Sequence, residues 1–235
     1  MVINMRDDIT SIPISEVFEP RDGCPICRLR NLLEERVVDY ISGAAMMEPD
    51  VRQETNKLGF CIDHFQMMLK KRNRLGVALI LESHLEEMEK RVFDGGLPIG
   101  KSSKKQAKSA EELVCTCFVC KQVNWAMERM LATVCRLWEK ERDFRNLFEQ
   151  QPMLCLPHFS QLIETASFKM SKKEVSYFSK AASELCRSYL KDLHSDVSHF
   201  IKMFDYRSNH EDADWGNSKD SIERAVWWLT SRNTY

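Results

Sequence analysis

The sequence contains few of the residues that tight turns between strands require. Its 235 residues include only 8 glycines and 7 prolines, and an all-β sandwich or barrel with many short strands needs more of both. Hydrophobic residues make up 43% and charged residues 29% of the chain, which is typical of globular proteins and excludes a mostly disordered one. At this length we expect one large domain or two small ones.

Neither sign of charge is in excess. Lys and Arg total 34 against 35 for Asp and Glu, which gives a formal net charge of −1. Dedicated nucleic-acid-binding proteins usually carry a basic excess. The sequence also has no basic recognition helix, so we do not expect a nucleic acid as the partner.

Long hydrophobic runs are missing as well. The most apolar window, 75–81, is followed by Glu82. It is far shorter than the ~20 residues of a membrane-spanning helix. The first residues, MVINMRDDITSIPISEVF, lack the basic cluster and apolar run of a secretory signal. We therefore expect a cytoplasmic protein without a membrane partner, in which thiols stay reduced.

Cysteine, by contrast, is abundant: there are nine, at positions 24, 27, 61, 115, 117, 120, 135, 155 and 186. Six of them combine with two histidines in a spacing pattern that occurs twice. The two copies are Cys24-x2-Cys27 followed by Cys61-x2-His64, and Cys117-x2-Cys120 followed by Cys155-x2-His158. The offset between copies is 93 residues at the CxxC pairs and 94 at the CxxH pairs.

Residues between the pairs agree with a duplication. At an offset of 93, Glu35-Arg36 falls on Glu128-Arg129 and Asp50-x-Arg52 falls on Asp143-x-Arg145. Matches at several fixed offsets indicate an internal repeat.

The CxxC and CxxH spacings are typical of metal ligands. Residues i and i+3 in a tight turn or a first helical turn project to the same side, so each pair can bind one ion. Two pairs supply three thiolates and one imidazole, a complete tetrahedral shell for zinc. We expect one zinc ion per repeat, the first held by Cys24, Cys27, Cys61 and His64 and the second by Cys117, Cys120, Cys155 and His158. The sequence leaves open whether the ligands of a site come from one repeat or are exchanged between the two.

Other interpretations of these cysteines compete with zinc. A thioredoxin-like redox pair needs a neighbouring βαβ pattern, and the flanks here are helical. A c-type haem needs CxxCH, but Arg28 and Lys121 follow the two CxxC pairs. Ordinary buried cysteines and an iron–sulfur cluster with three cysteines and one histidine remain alternatives.

The three other cysteines do not join the pattern. Cys135 and Cys186 lie on apolar stretches of predicted helices, where we expect small core residues. Cys115 precedes the second CxxC pair and is an alternative ligand there, but the absence of a counterpart in the first repeat argues against this role.

Apolar residues recur at helical spacing between the pairs, as in the series Leu29, Leu33, Val37 and Ile41. The pattern predicts an all-α fold with two pseudo-repeats, each a CxxC, a helix, a short helix, a CxxH and a long helix, packed as one body. The first short helix is predicted at 49–58 with Gly59 as its cap. The first long helix is predicted to carry Leu75 and Leu85 on its apolar stripe and to bend near Gly76, and the second restarts at a capping box, Ser171 to Glu174.

These patterns divide the chain into four parts: repeat one at 12–93, a polar basic linker at 94–110, repeat two at 111–206 and a Trp-rich segment at 207–235. The linker contains Gly-Lys-Ser-Ser without the upstream glycine or preceding strand of a P-loop. In the last segment we expect Trp215, Trp227 and Trp228 to dock on the body. Alternatively, this segment offers a pocket or partner surface with Arg207, His210, Asn217 and Arg224.

Four segments resemble, in order, a bacterial domain-of-unknown-function family with duplicated CxxC…CxxH motifs, of the type found in anaerobic Gram-positive bacteria. They are CPIC, DVRQETNKLGFCIDHF, CFVC and FDYR…WGNSKDSIERA, and the resemblance extends from about Ile12 to Arg224. It implies a cytosolic helical protein with paired Cys/His motifs in both repeats, and it implies no particular activity.

The residues favour a zinc-stabilised interaction or accessory module with an unknown protein partner, because a shell of three thiolates and one imidazole leaves no position for water. The alternative is a metal–thiolate redox, cluster-binding or metal-handling protein. No nucleophile–base pair stands at a recognisable spacing, so the sequence favours a non-enzymatic role and predicts no catalytic residue.

Overall fold

A computed structural model describes residues 14–93, 102–205 and 214–232. These residues form helices joined by short connections and contain no strand, which confirms the all-α prediction for this part of the chain. The α-helices are α1 (Ile14–Phe18), α2 (Pro25–Ser42), α3 (Pro49–Leu58), α4 (Ile62–Lys70), α5 (Arg74–Met88), α6 (Ser102–Cys115), α7 (Phe118–Lys140), α8 (Arg142–Glu149), α9 (Leu156–Lys169), α10 (Lys172–Lys202) and α11 (Ser221–Thr230).

The same order of elements follows both CxxC pairs. In each case a long helix (α2 or α7) leads to a short one (α3 or α8) and then to two successive helices, α4–α5 or α9–α10. The short helix α3 has its predicted bounds and ends at Gly59, whose φ of +61° is a left-handed conformation that favours glycine. The capping residue Ser171 accepts a hydrogen bond from the Glu174 amide at the start of α10, as predicted.

The long helix predicted after the first CxxH is instead two helices. The chain turns between α4 and α5, where Arg72 has a φ of +61° and the Asn73 side chain accepts a hydrogen bond from the Gly76 amide. This restart changes the register, so Val77 and Ile80 are buried while Leu75 is 72% exposed and Leu85 is also exposed. The predicted apolar stripe was therefore wrong at Leu75 and Leu85, although its members Met68 and Val92 are buried, and the chain breaks at Arg72 rather than bending near Gly76.

The predicted linker 94–110 overlaps α6, which begins at Ser102. The glycines and the proline of that stretch all precede residue 101, and the Lys, Gln and Ala residues after it are good helix formers. The residues from Ser103 to Lys108 are exposed, so this part is a solvated helix and not an irregular loop.

The described chain divides into two compact units. Unit one contains residues 30–93 and 102–127, and unit two contains 14–29, 128–205 and 214–232. Because the boundaries fall inside α2 and α7, each unit combines the CxxC segment of one predicted repeat with the CxxH segment of the other. Among the described helices, none has both the length and the apolar character needed to cross a membrane.

The interior of unit two is aromatic. Phe148 packs against Phe18 and Phe178 with ring centroids 5.9 and 5.2 Å apart, and Trp138 meets Phe178 edge-on at 5.2 Å. Unit one buries aliphatic and methionine side chains along its helices, including Leu33, Val37, Met68 and Ile80, together with the rings of Phe60 and Phe118.

Candidate metal centres

All four Cys/His pairs lie at helix N-termini. Cys61 and Cys155 are the N-cap residues of α4 and α9, and Cys24 and Cys117 immediately precede α2 and α7. The second member of each pair is the third helical residue, so both side chains of a pair project to the same side. The unpaired backbone N–H groups of a first helical turn also favour negative charge on such thiols.

The structure brings the pairs together across the repeats. Cys24 and Cys27 lie with Cys155 and His158, and Cys61 and His64 lie with Cys117 and Cys120. The expectation that each repeat holds its own ion was therefore wrong in its pairing. The physical reason is that each compact unit assembles the CxxC of one repeat with the CxxH of the other.

We call the first set, in unit two, the buried group. Its sulfur and Nδ1 atoms all lie within 4.8 Å of one another. Cys27 Sγ is 3.6 Å from Cys155 Sγ, and the Nδ1 atom of His158 lies 3.1 Å from Cys155 Sγ, 3.3 Å from Cys27 Sγ and 3.8 Å from Cys24 Sγ. All four residues are buried, and Cys155 has an exposed fraction of 0%.

We call the second set, in unit one, the partly exposed group. The Nδ1 atom of His64 lies 3.0 Å from Cys61 Sγ, 3.3 Å from Cys117 Sγ and 3.5 Å from Cys120 Sγ. Cys61 Sγ and Cys120 Sγ are 3.9 Å apart. His64 and Cys117 are buried, but Cys61 and Cys120 retain contact with solvent.

These separations fit one tetrahedral ion in each group. Zn–S bonds of about 2.3 Å and Zn–N bonds of about 2.0 Å at tetrahedral angles place two sulfurs about 3.8 Å apart and a sulfur and a nitrogen about 3.5 Å apart. Sulfurs joined in a disulfide are only about 2.05 Å apart, and all cysteines of both groups are free. Both groups could thus hold a metal ion.

Electrostatics also favour a cation at each group. In the buried group, hydrogen bonds with Cys155 and Cys24 raise the pKa of Cys27. Burial acts to raise the pKa of Cys24, but hydrogen bonds from Cys155, Cys27 and His158 hold it well below its usual range. Three thiolates cannot coexist in such a space without compensation, and a divalent cation supplies it.

In the partly exposed group too, burial and neighbouring groups shift the pKa values of the ligands. Burial and the neighbouring Cys117 thiol raise the pKa of Cys120 to about 12. Burial lowers the pKa of His64, although Glu34 and Asp63 act in the opposite direction. The neutral imidazole that results is the form that binds metal ions.

The carboxylate of Glu34 lies near the Nε2 atom of His64 in the partly exposed group. Glu34 Oε1 lies 3.9 Å from His64 Nε2 and 3.1 Å from Arg30 Nε. At 3.9 Å the carboxylate makes no hydrogen bond to the imidazole, but its negative charge acts to raise the pKa of His64. Glu34 was not predicted from the sequence, since position 127, its counterpart at offset 93, is a methionine.

Backbone contacts hold the two pairs of the partly exposed group together. The Phe118 amide donates to Gly59 O at 2.9 Å, and the Thr116 hydroxyl donates to Leu58 O at 2.7 Å. Phe60 packs against Phe118 at 6.4 Å between ring centroids. These contacts join the residues that flank Cys61 to those that flank Cys117.

The buried group is supported by side chains of unit two. Gln151 Nε2 donates to Phe18 O at 2.6 Å, which fixes the segment before Cys24 to the segment before Cys155. Leu154 O accepts hydrogen bonds from Trp228 Nε1 at 2.9 Å and from Cys186 Sγ at 3.4 Å. The residue next to ligand Cys155 is therefore held by both α10 and α11.

The remaining predicted residues fall outside the two groups. Cys135 is fully buried as expected, Cys186 is only partly buried, and Cys115 is exposed and belongs to neither group. Trp228 is buried, and Trp215 packs on Phe200 and Phe204, so these tryptophans dock as expected. Arg207 and His210 lie outside the described residues, while Arg224 donates to Asn217 O and pairs with Asp196 at 2.9 Å.

Comparison with known proteins gives one match. A family model described as a family of unknown function, DUF6062, matches residues 5–234. No curated protein and no solved structure matches the sequence. Since the family model covers nearly the whole chain, the protein belongs to this family of unknown function.

Proposed function

We propose that this protein binds two zinc ions at structural Cys₃His sites and acts as an interaction or accessory module. The observation that carries the proposal is the spacing of the donor atoms, in which three sulfurs and one Nδ1 lie within 4.8 Å of one another in each group. This donor set and this spacing are those of a closed structural zinc site.

The spacing favours a single ion over an iron–sulfur cluster. In a cluster with several irons the terminal ligands bind different metal atoms and are held apart by the cluster. Here, in both groups, the four donor atoms lie within 4.8 Å of one another, which is close enough to share one ion. A single ion with thiolate and imidazole ligands is most often zinc.

A structural role follows from what each ion joins. Cys27 and Cys155 are separated by 128 residues, and Cys61 and Cys120 by 59. An ion at each group connects these distant segments, and zinc binding to small modules supplies about 10–16 kcal/mol of apparent free energy. A shell filled by protein ligands leaves no position for substrate, which supports an interaction role over a catalytic one.

We also propose a cytoplasmic location, where thiols stay reduced and available to metal, and a protein partner. The same order of helices after both CxxC pairs supports a duplication of 12–93 and 111–206. An origin in an anaerobic Gram-positive bacterium remains a prediction from the resemblance.

Elemental analysis tests the proposal. Protein purified without oxygen is expected to contain two zinc ions per chain, and a Cys155→Ser variant is expected to contain one. Cys115→Ser is the matched control, because Cys115 is exposed and outside both groups, and it should retain two. Iron with inorganic sulfide, or protein that folds with no metal, would contradict the proposal.

A further inference from the structure

The two groups share one donor set but differ in access to solvent. All four residues of the buried group are buried, whereas Cys61 and Cys120 of the partly exposed group are only partly buried. Replacement of a ligand at a saturated zinc site needs a path for the incoming ligand to reach the ion. Within the described part of the chain, the partial exposure of Cys61 and Cys120 offers such a path.

Helix α11 covers the buried group. Trp228 is 6% exposed, and its Nε1 donates to Leu154 O, next to Cys155. The neighbouring Trp227 lies so close to Gly23, next to Cys24, that a Cβ built on this glycine would be 2.6 Å from the indole Cη2. Trp227 and Trp228 of α11 thus lie against Gly23 and Leu154, the residues that precede Cys24 and Cys155.

The partly exposed group is held together by contacts outside its ligand side chains. Its two halves are joined by the backbone bond from Phe118 to Gly59 and by the Thr116 hydroxyl bond to Leu58. These bonds involve no ligand side chain, so they remain when a cysteine sulfur leaves the ion. The group can therefore give up or accept an ion without separation of its two halves.

On the basis of the proposed zinc sites, we propose that the partly exposed group exchanges its zinc with incoming thiolate ligands, whereas the buried group, covered by α11, retains its ion. In the exchange an external thiolate sulfur binds the ion as the Cys61 or Cys120 sulfur leaves it. The released cysteine thiolate takes a proton from water, and no atom is oxidised or reduced. Both ions join distant segments of the chain, but only the ion at the partly exposed group is exchangeable.

Zinc-release kinetics test the inference. Protein shown to contain two zinc ions is mixed with excess dithiothreitol, a small dithiol, and a chromophoric zinc indicator under argon. We expect two phases of equal amplitude. Alkylation with iodoacetamide during the fast phase, followed by peptide mass spectrometry, should modify Cys61, Cys117 and Cys120 before Cys24, Cys27 and Cys155.

Two tryptophan variants assign the slow phase. Trp227→Ala and Trp228→Ala remove parts of the cover, so each should accelerate the slow phase about tenfold or more through local opening and leave the fast phase unchanged. Trp215→Ala is the matched control, because Trp215 packs on Phe200 and Phe204, and it should change neither phase. Circular dichroism confirms that each variant is folded.

The outcomes separate this inference from the proposed function. Protein without bound zinc overturns the proposed sites themselves. Two bound ions that leave in one phase, or alkylation that starts in the buried group, overturn only the inference. A slow phase unaffected by both α11 variants overturns the role of α11 as the cover.

Discussion

The buried and partly exposed groups use the same ligands at the same helix positions, yet their surroundings differ. The buried group lies in unit two, whose interior contains stacked aromatic rings, and the two tryptophans of α11 contact the residues that precede its ligand pairs. The partly exposed group is joined by backbone bonds, has a carboxylate 3.9 Å from its histidine and contains two cysteines that are only partly buried. Local helix geometry thus sets the ligand arrangement, and the packing around it sets how accessible an ion would be.

The short helices show a second difference between the units. In unit one, α3 is bonded to α5: Asn56 Oδ1 accepts from the Ser83 hydroxyl, and Asn56 O lies 2.8 Å from His84 Nδ1. In unit two a cavity of about 550 Å³ is lined by residues of α8 and α10 with Trp138. Arg145 lies in its wall, 4.1 Å above the Trp138 ring. The equivalent short helices α3 and α8 are therefore packed differently against α5 and α10.

The largest expected effect concerns the crossed pairing. A Cys24→Ser, Cys155→Ser double variant alters one group, whereas a Cys24→Ser, Cys61→Ser double variant alters both. The first should therefore retain one zinc ion and the second none, as counted by native mass spectrometry. The opposite result would restore the pairing within repeats and refute the crossed arrangement.

Single ligand changes should separate the two groups in stability. Removing one partner from a buried charged cluster leaves an uncompensated charge and costs about 3–5 kcal/mol. We therefore expect Cys155→Ser to lower the melting temperature more than Cys120→Ser, whose site solvent can reach. Differential scanning calorimetry measures the melting temperatures of both variants. Equal decreases would show that burial of the group does not determine its contribution to stability.

The contact between Gly23 and α11 gives a smaller effect. Gly23 has a φ of +143°, and a Cβ built on it would lie 2.6 Å from Trp227 Cη2, so Gly23→Ala adds both backbone strain and a clash. We expect a loss of about 1–3 kcal/mol in urea denaturation. Gly216→Ala is the control, since Gly216 also has a positive φ but a Cβ built on it would meet no atom within 4 Å. A Gly23→Ala loss no larger than the Gly216→Ala loss would contradict the close contact.

The smallest effect is expected at the surface of unit one. Lys121, adjacent to ligand Cys120, pairs with Glu54 at 3.3 Å, and the two side chains are 58% and 46% exposed. Such pairs contribute about 0–1 kcal/mol, so Lys121→Ala should scarcely change the stability or the zinc content. A large loss of zinc in this variant would mean that zinc binding by Cys117 and Cys120 depends on the charge of Lys121.

The helices and the ligand residues were readable from the sequence because both depend on local rules. The i, i+3 spacing of each pair, the cap at Gly59 and the capping box at Ser171 act within one or two turns. The prediction failed at Leu75 and Leu85, because the restart of α5 at Asn73 changed the register. Local patterns also did not predict α6, which begins at Ser102 inside the predicted linker 94–110.

The sequence by itself determined that this is a helical chain with four Cys/His pairs at helix starts, since apolar periodicity and ligand spacing are properties of neighbouring residues. Only the tertiary structure decided which CxxC meets which CxxH, because both combinations supply the same three sulfurs and one imidazole. Burial of apolar surface in each unit selects between them, and the same packing places α11 over one group and leaves the other open to solvent.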